Sequence, residues 1–283
     1  MLVQLLSKGA DVAMLSFVIS SMLAMGASLT IVQIIEPLRN VRLVVLALLA
    51  NFVAMPVVAL GLAKMLRLDE QFAVGLLVLG CTAGAPFLPK LAERAKGNIA
   101  FAVGAMVLLM VVTVGYLPIV LPLLLPGVSV DPLKIARSLV LLMLLPLAAA
   151  LILRARREDI AAQVKPLLDR ISNISLILLL VLITAANISK VVQVFGSRAI
   201  LAGILFIALG FVIGWLLGGP GADTRRVVAL GTAQRNIAAA LVVAGESFDP
   251  KVVVMVTVVA IGSLIILMPL SGALANRGVA RSS

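Results

Sequence analysis

Arg235 is the one charge set deep within an apolar stretch, where Gly231-Thr232-Ala233-Gln234-Arg235-Asn236 falls in the run between Arg226 and Glu246. An ionisable side chain at that depth is expensive, and it marks a functional site when it faces the protein interior. Three uses are open to it. Its guanidinium can fork onto an anionic solute, assisted by the positive ends of nearby helices. It can stand as a tethered cation that props up the backbone around it. It can also snorkel to the interface or neutralise helix C-terminal carbonyls. Gln234 and Asn236 flank it, and Thr82 lies in a second unusual run, Gly80-Cys81-Thr82-Ala83-Gly84-Ala85-Pro86. These polar groups can meet a solute or satisfy carbonyls freed by a broken helix. Lys90 opens a charged run with Glu93, Arg94 and Lys96, so it either ends a span in solvent or reaches back to the break.

The 12 acids, from Asp11 to Asp249, all fall at the ends of apolar stretches or between them, and the chain has no His. Proton relays, intramembrane hydrolysis and metal-dependent chemistry need such groups buried, so no enzyme and no cofactor are expected. The lone Cys81 cannot form an intrachain disulfide.

The elements that must hold these residues follow from hydropathy. Of the 283 residues 63% are hydrophobic and 12% charged, too few charges to cover a soluble domain. The net charge of +11 is then a topology signal rather than a nucleic-acid footprint. Uncharged stretches cover 12–35, 43–63, 71–89, 97–130, 138–153, 171–189, 199–222 and 252–276, and Arg235 interrupts a further one at 227–245. A membrane-spanning helix needs ~20 such residues. The pattern predicts an all-α membrane protein of nine helices near 11–34, 41–64, 71–95, 98–122, 132–154, 169–191, 197–218, 224–246 and 250–275. The first is expected to open the series of spans rather than act as a cleavable leader. Sorting basic residues by side places 14 on one face and 8 on the other, with Arg235 completing the 23. The richer face is expected to be cytoplasmic, with the N-terminus outside and the longest connection, Arg154–Arg170, inside. Tyr116 and Trp215 read as interfacial anchors, and Asn173, Ser175, Asn187 and Ser189 as lining for one side of a cavity.

The third and eighth helices are expected to be discontinuous, with breaks at Gly84 and Pro86 and at Gly231 and Thr232. Pro86 suits the first turn of a new half-helix, and Thr232 could cap another. If the first four helices correspond to the last four, the intervening fifth inverts one group relative to the other. Paired interrupted spans in an inverted repeat point to a secondary transporter with its site near mid-membrane.

The runs Gly80-Cys81-Thr82-Ala83-Gly84-Ala85, Lys96-Gly97-Asn98 and Gln234-Arg235-Asn236-Ile237-Ala238-Ala239-Ala240-Leu241 resemble the bile acid:sodium symporter family. So do Met25-Gly26-Ala27-Ser28-Leu29-Thr30 and Asn51-Phe52-Val53-Ala54-Met55-Pro56. The resemblance implies a nine-helix form with a panel (11–34, 132–154, 169–191) and a core (41–122, 197–275). The third and eighth helices would cross inside the core of a single polytopic unit, 1–283. It implies a small organic anion as substrate, alternating access, and sodium as the coupled ion. Substrate-binding residues would be Arg235, Asn236, Thr82 and Gln234; a possible ion or tethered-charge site would be Asn51, Gln234, Lys90 and Arg235. The chain departs from the family where one sodium ion is held: the side-chain positions read Leu88, Pro89, Ala102, Met106 and Ala229 or Leu230, none able to ligate a hard cation. A second ion site keeps the amides Asn51 and Gln234. The expected partners are the organic anion and the lipid bilayer of an inner or plasma membrane, with no nucleic acid and no protein partner. The alternatives are a sodium-coupled symporter using those amides, a non-transporting receptor or scaffold, and a channel.

Overall fold

The computed structural model describes residues 2–125, 131–186 and 197–279, and among these every regular element is helical. The elements are α1 (Leu2–Ser28), α2 (Ile31–Ile35), α3 (Val41–Leu49), α4 (Met55–Met65), α5 (Glu70–Cys81), α6 (Leu88–Arg94), α7 (Ile99–Leu124), α8 (Pro132–Leu139), α9 (Leu145–Arg156), α10 (Glu158–Ala186), α11 (Ala199–Leu217), α12 (Ala222–Ala233), α13 (Ile237–Ser247) and α14 (Pro250–Val279). Among the described residues, eight helical stretches are long and apolar enough to cross a bilayer. Their outward faces carry large apolar side chains such as Val57, Ile119, Ile177, Leu216 and Ile265. This is an integral, multi-pass membrane protein.

Several boundaries differ from the hydropathy pattern. The first helix begins at Leu2 and stops at Ser28 rather than running 11–34, because Thr30 and Gln33 form a reciprocal capping box that starts α2. The Arg154–Arg170 stretch is not a long connection. A break of one residue, Arg157, separates α9 from α10, and Glu158 both opens the new helix and pairs with Arg154 at 2.6 Å. The end of the expected 169–191 span, with Asn187 and Ser189, lies outside the described residues; Asn173 is exposed and Ser175 buried.

Two spans carry π-helical bulges, Ala50–Ala54 between α3 and α4 and Val140–Leu144 between α8 and α9. Each precedes a proline, Pro56 or Pro146, and the cause is local. Proline has no N–H, and its ring clashes with the carbonyl four residues back; widening the preceding turn relieves the clash. The bulge leaves Asn51 O and Phe52 O without their helical donor at Pro56. Phe52 O takes the Tyr116 hydroxyl instead, at 2.6 Å, and the two rings meet at a tilt of 54° with centroids 4.8 Å apart. Tyr116 is therefore an internal strut rather than an interfacial anchor. Trp215 lies near the end of α11 beside Phe211, with Arg225 5.7 Å over its ring.

α1 packs along α9 and α10, while α5 lies among α4, α13 and α14, and α11 covers α12. Just past the end of α5 the backbone runs so close to α7 that no side-chain carbon fits between them. A Cβ on Gly84, whose φ is +79°, would lie 2.3 Å from Met110 N. Gly84→Ala is expected to lower stability by about 3 kcal/mol, from the left-handed backbone and overpacking together. Gly115→Ala, where a Cβ meets nothing within 4 Å, is expected to be neutral or stabilising; thermal melts in detergent compare the two. Tyr116→Phe strands a carbonyl and is expected to cost about 1–3 kcal/mol in the same melts.

Candidate functional site: two crossed breaks around a buried guanidinium

The first break runs from the end of α5 at Cys81 to the start of α6 at Leu88. Thr82 is extended, Gly84 is left-handed, and Leu88 N closes a turn onto Ala85 O at 3.0 Å. Pro86 sits in this turn rather than in the first helical turn, a place that Pro89 takes instead. The shift is physical: Pro86 fixes the turn after the glycine, and the helix can begin only once the turn has closed. Thr113 on α7 holds the break from both sides, accepting from Ala83 N at 2.9 Å and donating to Ala83 O at 3.2 Å.

The second break lies later than Gly231 and Thr232. Both belong to the last turns of α12, which ends at Ala233; Gln234 is extended and Asn236 is the N-cap of α13. Asn236 displaces Thr232 as the cap because its amide oxygen reaches Ala239 N at 3.1 Å, while its Nδ2 donates to Gly84 O at 3.1 Å. Its backbone N–H also points at Thr82 O, 3.4 Å away. One asparagine thus caps its own half-helix and ties the two breaks together.

Arg235 lies at this crossing with 0% of its surface exposed. Nε donates to Leu79 O at 2.9 Å; Nη1 donates to Asn51 Oδ1 at 2.7 Å and Thr232 O at 3.2 Å; Nη2 donates to Gly80 O at 2.9 Å and Asn51 O at 3.4 Å. All five N–H donors of the guanidinium are spent on the protein. It faces the last carbonyls of α5 and α12, the negative ends of those half-helices, and the Asn51 carbonyl that Pro56 has freed. None of its donors remains to fork onto a solute, so a bidentate Arg235–anion contact is not available in this arrangement. Asn51 is equally committed, its Nδ2 donating to Ala47 O at 2.9 Å and Thr232 Oγ1 at 3.3 Å.

The other expected residues divide. Thr82 is buried and turns its hydroxyl back to Leu79 O at 3.1 Å. Gln234 is 5% exposed, and its Oε1 is buried without a hydrogen-bond partner among the described residues. Lys90 does not reach the crossing; it is exposed, with its ammonium 5.5 Å over the Phe87 ring, because α6 carries it away from the break. Leu88, Ala102, Met106, Ala229 and Leu230 are all buried. Leu88 packs so closely on Gly231 that a Cβ there would lie 2.9 Å from its methyl. Hydrocarbon therefore stands at these positions, where the ligands of the first sodium ion were expected, while the amides Asn51 and Gln234 of the second are buried at the crossing. Thr113 escaped the sequence reading and Tyr116 was given the wrong role there, although the mid-span Pro56 was a signal that donors must be found for two carbonyls.

The profile of the sodium bile acid symporter family matches residues 15–194. The chain is 28% identical to the uncharacterized sodium-dependent transporter YocS of Bacillus subtilis over 202 residues, which cover 69% of this chain and 61% of that protein. It is 25% identical to the probable sodium/metabolite cotransporter BASS1, chloroplastic, of Arabidopsis thaliana, over 81% of this chain and 58% of that protein. The hepatic sodium/bile acid cotransporter of Homo sapiens is 25% identical over 82% of this chain and 69% of its own length. The chain thus spans about three fifths of the length of the first two relatives. Matched by the family profile over more than half its length, the chain belongs to the sodium bile acid symporter family, whose members are transporters and not enzymes.

Proposed function

We propose that the protein is a secondary carrier of a small organic anion, working by alternating access. The observation that carries this reading is the Arg235 charge. Its hydrogen bonds are satisfied, but among the described residues no carboxylate pairs with it. Carbonyl dipoles stabilise a cation without cancelling its net charge. At an effective dielectric of about 20, an anion about 6 Å away gains roughly 3 kcal/mol. Arg235 acts on the cargo through its field, and Gln234, Thr82 and Asn236 lie nearest the breaks where the cargo passes. The relatives' printed names, a bile acid cotransporter and a metabolite cotransporter, fit an organic anion.

In this reading the interrupted stretch Glu70–Arg94 is the third of nine spans, and Ala222–Ser247 is its inverted counterpart. Helices α1, α8, α9 and α10 form a panel, and the rest of the spans a core. The N-terminus lies outside and the C-terminus in the cytoplasm of an inner or plasma membrane. Panel and core then touch at their outer ends, where Ser138 donates to Glu246, Lys134 Nζ reaches Glu246 O at 2.6 Å, and Met14 packs on Gly245. Opening to the outside requires those contacts to part.

Proteoliposomes containing the full chain are expected to take up labelled taurocholate or one of a set of small carboxylates, saturably and faster under an inside-positive potential. Binding without flux would recast the protein as a receptor, and ionic currents beyond carrier turnover would recast it as a channel. For orientation, a membrane-impermeant maleimide on intact cells is expected to label Asp69→Cys and spare Arg157→Cys; the opposite pattern inverts the topology.

A further inference from the structure

We infer that Arg235 fills a cation cage with a cation of the chain's own, so that the crossing closes without sodium. Five oxygens converge on the guanidinium: the backbone carbonyls of Leu79, Gly80, Thr232 and Asn51, and the side-chain oxygen of Asn51. They come from three separate helical segments. Two of these are C-terminal ends of half-helices and the third is an unwound π turn. Carbonyls at broken-helix ends are the ligand type that holds a small hard cation inside a transporter. A mobile ion in the cage would have to displace the guanidinium, because all five oxygens already accept from its N–H groups. At the first of the expected sodium sites the side chains of Leu88, Ala102, Met106, Ala229 and Leu230 are buried hydrocarbon, which leaves Gln234 Oε1 as the one buried side-chain oxygen without a partner among the described residues.

The departure from the relatives is specific, because their printed names include sodium as a driving or coupled ion. Protons are no better placed to couple, because the 12 acids lie at the ends of apolar stretches or between them and there is no His. A tethered charge cannot leave with the cargo. Its position is set once, at folding, and flux is driven by the anion gradient and the membrane potential alone. This consequence for flux rests on the anion-carrier reading above; the filled cage does not.

The test is thermal unfolding of the full chain in detergent, in sodium chloride against choline chloride at equal ionic strength and without any anionic cargo. The wild type is expected to melt at the same temperature in both salts. A saturable, sodium-specific rise of more than about 2 °C overturns the inference. Arg235→Ala empties the cage and is expected to melt lower than wild type. Millimolar guanidinium or sodium is expected to raise its melting point while leaving the wild type unmoved, and a variant indifferent to both ions overturns the cage. Should Arg235→Ala fail to fold, the wild-type comparison and Arg235→Lys, expected to fold and to remain indifferent to sodium, still decide. In proteoliposomes, initial rates with sodium replaced by choline are expected to agree within twofold, and a tenfold fall overturns the inference. Absence of flux in both salts counts against the carrier reading and leaves the melting result to judge the cage.

Discussion

A full positive charge sits among five oxygens where two helices break, and the four backbone ones are there because a helix lost something. Leu79, Gly80 and Thr232 lie in the last turns of half-helices that go no further, so their carbonyls lack the helical N–H four residues on. The Asn51 carbonyl has none because Pro56 occupies the donor's place. In hydrocarbon each orphan acceptor costs several kcal/mol. One guanidinium, with five donors in a rigid plane, answers all of them. The arrangement also binds in the other direction, since the charge is tolerable at that depth only while those acceptors surround it.

The supporting residues follow from the same constraint. Asn236 and Thr113 take the break's remaining polar groups, and Tyr116 takes the second carbonyl that Pro56 frees. Every one of these bonds joins segments distant in the chain, so the crossing is a rigid knot rather than a hinge. The chain thus belongs to a family named for sodium while its own polar centre is closed by hydrogen bonds from a tethered guanidinium.

Much of this was legible along the chain. The apolar runs marked the membrane-spanning segments, since hydropathy is a local property and the bilayer sets its length. Gly84 and Pro86 announced the first interruption to within a few residues, and the depth of Arg235 announced a buried charge. The second interruption was placed too early, because Thr232 and Asn236 are both competent caps and only the partner break chooses between them. Asn236 wins by reaching Gly84 O, 152 positions away in sequence.

The sequence alone determined that a single cation interrupts an apolar run beside one of two expected helix breaks and that no acid lies within that run. Only the tertiary structure decided which helix ends that cation meets. Moving the second break from Gly231 and Thr232 to Gln234–Asn236 sets Arg235 beyond the end of α12 and before the start of α13, where its side chain turns back to carbonyls at the negative ends of α5 and α12. A dipole's sign at a given residue depends on where hydrogen bonding stops, and that boundary is set by contacts such as Arg235 with Asn51, 184 residues apart.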